Sequence, residues 1–301
     1  TDSTGEILEM LDNKKGNTNN RRTNVNCKDT YLYLSNVNEN DLAAAINSHT
    51  NLTSITVTSG KINDDDWNAI KQNINSLTYI DLAGATYTGD DAANFVYTGN
   101  PDDNWTLQTI KLPQGITSIG NNAFCDCNTL ESITLPDGLE SIENYAFRNC
   151  KSLESINIPT SLNSIGECAF YYCYSLESIN IPNGVTSIGS NTFERCYSLK
   201  SIKIPDGVTS IGNRAFCNCI SLESINLPDE LESIGDRAFY GSSNLATVTC
   251  LATTPPELGT SVFNNCSTNL QIWVPTASVD DYKQAENWNA YANIISAISE
   301  P

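Results

Sequence analysis

Few residue types in this chain could carry out catalysis. His49 is the only histidine in 301 residues, so no second imidazole can share acid–base work. No G-x-S-x-G elbow and no glycine-rich phosphate loop is present. Eleven cysteines are the most numerous reactive groups. Five of them, Cys127, Cys150, Cys173, Cys196 and Cys219, recur at one interval, with Ser242 in the next place. In a parallel stack such residues lie about 4.8 Å apart with side chains pointing the same way, the wrong geometry for a relaxed disulfide. The column therefore reads as buried thiols, small hydrophobes that retain a weak donor. Cys125-Asp126-Cys127 and Cys217-Asn218-Cys219 are C-x-C pairs, whereas zinc sites favour C-x2-4-C with histidine nearby. No metal and no cofactor is expected.

Carboxylates lead no further towards chemistry. Asp64, Asp65, Asp66, Asp90 and Asp91 lack the spaced D-x-D-x-D-G pattern of a calcium loop. They read instead as acids in the first turns of helices, where they answer free N–H groups and the helix dipole. Glu140/Glu143 and Asp229/Glu230/Glu232 fall at no evident cleft. The chain is read as a non-enzyme.

The elements that position these side chains follow from a period. Between Leu112 and Thr249 the sequence divides into six near-copies of 23 residues. Phe124, Phe147, Phe170, Phe193, Phe216 and Phe239 hold one place. Leu130, Leu153, Leu176, Leu199, Leu222 and Leu245 hold another, each with Ile or Val three residues on. A fixed period in this range with an L-x-x-I-x-L/I strand predicts a leucine-rich-repeat solenoid. The expected form is a curved α/β-type stack with a parallel concave sheet, short helical or 3-10 turns on the convex side and capped ends.

The same strand pattern extends in both directions. Leu52/Ile55/Val57, Leu77/Ile80/Leu82 and Leu107/Ile110/Leu112 precede the regular block, and Leu270–Val274 follows it. Ten strands at about 4.8 Å would give a concave face of roughly 45 Å. Helices are expected at 41–48, 64–74 and 90–96, with a short helical stretch possible at 5–11. The organisation expected is a flexible leader at 1–30, an N-terminal cap with irregular repeats at 31–111, regular repeats at 112–249, and a variant repeat with C-terminal cap at 250–301. Tyr31–Leu34 alternates like a strand and is placed in the N-terminal cap. Trp288 and Tyr282 are placed in the C-terminal one.

The formal charge is −19 and the acids are spread along the chain. Such a surface repels phosphate backbones and anionic lipid, which argues against nucleic acid and membrane-surface partners. No apolar run reaches the length of a membrane span, and a monomer is expected.

The unit I/LP-x-G-V/L-x-S-I-G-x-x-A-F-x-x-C-x-S-L-x-S-I-x strongly resembles the BspA-like (treponemal-type) leucine-rich repeats of bacterial surface proteins. The ending, with Pro255-Pro256, Phe263, Cys266, Ile272-Trp273-Val274 and Asp281–Ala285, is similar to the terminal unit of that family. The resemblance covers 112–301 strongly and 50–111 only as generic leucine-rich repeats. It implies a secreted or lipid-anchored bacterial surface protein, outside the cell, with a role such as adhesion to host extracellular proteins. It brings no catalytic residues.

Two faces offer binding groups. On the concave side, the residues after the inward Ile form a column of Thr134, Asn157, Asn180, Lys203, Asn226 and Thr249, beside a serine column. These groups either hydrogen-bond up the ladder as a solvated face or suit a glycan or extended peptide. One residue before the serines, Glu131, Glu154, Glu177, Lys200 and Glu223 form an exposed edge. On the turn side, Tyr171, Tyr172, Tyr174 and Tyr197 cluster in adjacent coils, with Tyr145 one coil earlier and Tyr240 later. Other copies carry polar residues there, so the tyrosines form either an amphipathic binding patch or rings stacked half-buried between coils. The function expected is a surface or secreted binding module for a protein partner. The alternatives are a polysaccharide-binding surface protein and a spacer without its own ligand.

Overall fold

The computed structural model describes residues 24–28, 30–89 and 106–298. The helices expected at 5–11 and 90–96, and most of the 1–30 leader, lie outside the described residues. The described chain coils into a solenoid of parallel ladders. In the first ladder, strands centred on Leu32, Ile55, Ile80, Ile110 and Ile133 pair in register, and their central residues are at most 4% exposed. The same column continues through Ile156, Ile179, Ile202, Ile225, Val248, Ile272 and Ile295. All ten expected strands are present. Two more flank them, Tyr31–Ser35 and Ile295–Ala297. Asn24–Lys28 adds an antiparallel edge to the first of these.

A second ladder runs down another side of the coil. Ser118–Ile119, Ser141–Ile142 and Ser164–Ile165 pair in parallel, and so do Ser187–Ile188, Ser210–Ile211, Ser233–Ile234 and Glu257–Leu258. The glycine that follows these pairs in every coil but the one with Ser141-Ile142-Glu143 leaves room for the preceding coil. A Cβ at Gly166 would lie 2.5 Å from the backbone nitrogen of Asn144.

The turn side is a third hydrogen-bonded stack. Two residues per coil adopt left-handed backbone, at 122, 145, 168, 191, 214 and 237, and again at 126, 149, 172, 195, 218 and 241. This conformation aims alternate N–H groups at the next coil: Phe124 N donates to Ala146 O, Phe147 N to Ala169 O and Phe170 N to Thr192 O. Asparagine recurs at these places because it tolerates left-handed backbone better than most residues.

Inside the three ladders the phenylalanines stack from Phe124 to Phe263, with centroids 5.3–5.5 Å apart and planes within 11°. The cysteine column is buried beside them. Cys150 Sγ donates to Phe124 O at 3.1 Å, Cys173 to Phe147 O at 3.1 Å, Cys196 to Phe170 O at 3.3 Å and Cys219 to Phe193 O at 3.1 Å. Ser242 Oγ makes the same bond to Phe216 O at 2.8 Å. The ten cysteines from Cys125 to Cys266 are free thiols.

The two ends differ. At the N-terminal end, helices α1 (Asp41–Asn47) and α2 (Asp64–Gln72) pack together on the side away from the first ladder. Asn63 caps α2, accepting from Asp65 N and Asp66 N, and Asp66 accepts from Asn63 N to complete a capping box. The buried Asp66 accepts from the backbone of Asn40, Ala43 and Asn63 and ties the two helices together. At the C-terminal end, Trp288 and Tyr282 are fully buried. Their polar atoms reach Pro256 O and Ala252 O, each at 2.8 Å, so both rings close the column without stranding a donor.

Candidate functional site

The tyrosine edge is built on the third stack. Tyr171 follows Phe170 and Tyr172 occupies the second left-handed position, where the regular repeats before it carry Asp126 and Asn149. Left-handed backbone disfavours a bulky side chain by about 1 kcal/mol or more. Rings of Tyr171 and Tyr172 lie 4.1 Å apart, Tyr172 and Tyr174 meet edge-on at 5.5 Å, and Tyr174 stacks on Tyr197 of the next coil at 4.8 Å and 8°. The Arg195 guanidinium covers Tyr172 at 4.9 Å, and Lys151 lies 6.0 Å from Tyr174. The cluster is therefore continuous over two coils and half-buried, with cations on its faces.

Desolvation shifts two groups on this edge. Burial pushes the Tyr171 hydroxyl well above its ordinary range, helped by its bond to Tyr172 and the nearby Glu194. Glu194 is buried beside it; desolvation raises its carboxyl, and Arg214 and Arg195 offset this only in part. Arg195 Nε is buried without a hydrogen-bond partner among the described residues. Tyr145 stands apart from the ring cluster. It is 39% exposed in a left-handed turn, and the neighbouring Cys168 thiol raises its hydroxyl.

The concave candidates form a second group. Asn157, Asn180, Lys203 and Asn226 sit on successive strands and line one concavity of about 630 Å3 together with Ser155, Ser178, Ser201 and Ser224. Leu251, 44% exposed, borders it. Of the two readings of these columns, side-chain hydrogen bonding up the ladder is not observed among the described residues. None of these Asn, Ser or Lys side chains bonds another described group. In the second ladder, by contrast, the Ser118 and Ser141 hydroxyls lie 2.7 Å apart and Ser141 donates to Glu143 at 2.8 Å. The concave strands lack a carboxylate so placed. Lys200 pairs with Glu177 at 2.9 Å, relieving the acidic edge as its alternation implies.

Sequence reasoning missed Tyr31 and Tyr33, which are 60% and 52% exposed on the first strand of this ladder. Their Tyr-Leu-Tyr-Leu run is itself a repeat strand, with Leu32 in the inward place, and that alternation was the available signal. They share the face with the Asp81–Lys111 ion pair at 2.7 Å.

The thiols are poor nucleophiles. Burial pushes Cys125 up to about 12, Cys217 to about 11 and Cys266 to about 12, and the column thiols are raised as well. Among the described residues no three His, Cys, Asp or Glu side chains gather as metal ligands. No helix there is long and apolar enough to cross a membrane.

Comparison with known proteins agrees with this architecture. The family described as "BspA type Leucine rich repeat region" matches in six copies over residues 103–219 and 186–286. Among solved structures, a leucine-rich cell surface protein from Faecalibacterium prausnitzii A2-165 is 26% identical, with 90% of this chain and 83% of that chain covered and a TM-score of 0.37. A leucine-rich repeat protein from Bacteroides ovatus is 20% identical, covering 94% and 100%, with a TM-score of 0.36. The leucine-rich repeat protein of T. pallidum is 22% identical, covering 83% and 87%, with a TM-score of 0.38. No curated protein matches.

Proposed function

The chain belongs to the BspA-type leucine-rich repeat family, and from that premise we propose that it is a non-catalytic binding module, secreted or displayed on a bacterial surface, that takes a host extracellular protein along its tyrosine edge. The observation that carries this reading is the break in the repeat at coils three and four. Tyr172 and Arg195 stand where other copies carry Asp126, Asn149, Asn218 and Gly241, and with Tyr171, Tyr174 and Tyr197 they pack into one cation-capped cluster. Tyrosine and arginine dominate protein interfaces because they present large, amphipathic surfaces at modest entropic cost. Two of the replacements tolerate a left-handed backbone that asparagine would adopt more easily, which the fold alone does not require.

The test is an array of host extracellular proteins and polysaccharides probed with the intact chain and with a Tyr171/Tyr172/Tyr174/Tyr197→Ser variant of matched melting temperature. A protein bound by the intact chain and lost in the variant supports the reading. A protein bound equally by both moves the interface elsewhere, and a folded chain that binds no protein overturns it.

A further inference from the structure

We propose a second site, independent of the tyrosine edge: the concave floor between Ser155 and Leu251 binds a linear polysaccharide that bears sparse carboxylates. Lys203 pairs the carboxylate, and Asn157, Asn180 and Asn226 hold sugar hydroxyls.

The first support is that these groups are uncommitted. Side-chain amides on the turn side are used within the fold: Asn144 accepts from Glu167 N and Asn213 from Asp236 N, each at 2.8 Å, and Asn149 donates to Asp126. On the concave floor, three amides and four serine hydroxyls make no such bond. Each amide offers both donors and acceptors, the pairing that a vicinal diol requires.

The second support is charge. Lys111 and Lys200 are paired with Asp81 and Glu177, whereas Lys203 has no carboxylate partner among the described residues. It is the one cation lining the concavity, with Asp206 as the one acid. At physiological salt, charges beyond about 8 Å are largely screened, so a ligand on the floor senses this ammonium before the distant acids. The carboxylates of Glu154, Glu177 and Glu223 along the neighbouring edge disfavour a densely sulfated chain. They leave room for one with widely spaced carboxylates.

The third support is spacing. The floor repeats once per strand, about 4.8 Å. An extended peptide laid along the ladder advances about 3.4 Å per residue and loses register within two strands. A β-linked pyranose chain advances by about one strand spacing per sugar and meets an equivalent amide or ammonium at each step. The concavity's volume of about 630 Å3 falls within the usual range of ligand sites, about 300–1,000 Å3. The exposed Leu251 offers an apolar surface to the C–H face of a ring.

The experiment is calorimetric titration of the intact chain with a hyaluronan dodecasaccharide, its carboxyl-reduced form and poly-glutamate. Lys203→Gln and Asn157→Ala/Asn180→Ala/Asn226→Ala variants, at exposed positions, are titrated alongside. Hyaluronan is expected to bind, and carboxyl reduction to weaken it about tenfold, the worth of one charge-assisted hydrogen bond. Lys203→Gln should abolish that preference, and the triple variant should weaken both sugars. The Tyr171/Tyr172/Tyr174/Tyr197→Ser variant should bind them unchanged, which separates this site from the edge. Binding of neither sugar, equal binding of both, stronger binding of poly-glutamate, or indifference to the concave substitutions would each overturn the proposal.

Discussion

Two stacks of aromatic rings run side by side through this molecule, and they obey different rules. The phenylalanine column keeps its 23-residue period from Phe124 to Phe239 and continues one residue late at Phe263, with every ring at most 3% exposed. The tyrosine cluster, a few residues away on the same turns, spans only two coils: Tyr174 and Tyr197 share one repeat position, no other coil continues them, and the rings remain half-exposed. A position that repeats without drift serves the stack, since every coil must present the same shape to its neighbours. A position that departs from the repeat on the outside is not needed for that purpose. Periodicity therefore separates the residues that hold this fold from those free to recognise something else.

The largest expected effect lies in the column. Phe193→Ala removes a ring from the middle of the stack and should cost about 3–5 kcal/mol in chemical denaturation. Next comes the thiol ladder. Cys173→Ala removes one of two donors to Phe147 O, which keeps its bond from Cys150 N at 3.2 Å, and should cost about 1 kcal/mol. Cys173→Ser should lose far less, because Ser242 already makes that bond in the same column. Comparable losses in the two variants would show that the column needs volume rather than a donor.

Smaller effects belong to the edge. Desolvation raises the Glu194 carboxyl above its unfolded value. The folded state therefore binds this proton more readily, and stability falls as pH rises from the unfolded pKa through the folded one. Glu194→Gln should flatten that part of the stability–pH curve and raise stability at neutral pH; an unchanged curve would remove Glu194 as its source. Least of all, Tyr172→Asn should leave stability within about 1 kcal/mol of the parent, with relief of the left-handed backbone offsetting lost ring contacts. A larger loss would make the cluster part of the fold.

The periodic half of this comparison was legible in the sequence. The Phe, Cys and inward Ile places needed only the 23-residue interval, and the inside of the coil follows from alternation around each Ile. The second ladder was not legible, because two-residue Ser-Ile strands are too short to show a period of two. Nor was the third stack, whose bonds depend on left-handed turns that Asn149 and Tyr172 adopt alike. The tyrosines were visible as a departure, but their continuity with Arg195 required coordinates. Tyr31 and Tyr33 were legible as an alternating strand but were assigned to the cap rather than to the exposed face, because the irregular coils of the N-terminal third supply no interval to align them with the later strands. The uncommitted amides at Asn157, Asn180 and Asn226 were beyond sequence reasoning, since composition does not say which hydrogen bonds an exposed side chain makes.

The central claim is that the buried ring column running through every regular coil holds the fold and the half-exposed tyrosines confined to two coils do not. The most direct test is to compare denaturant unfolding free energies of the parent chain, Phe193→Ala and Tyr174→Ala. The account predicts a loss of about 3–5 kcal/mol for the first substitution and less than about 1 kcal/mol for the second. Equal losses would contradict it, because the tyrosine edge would then be a second structural stack.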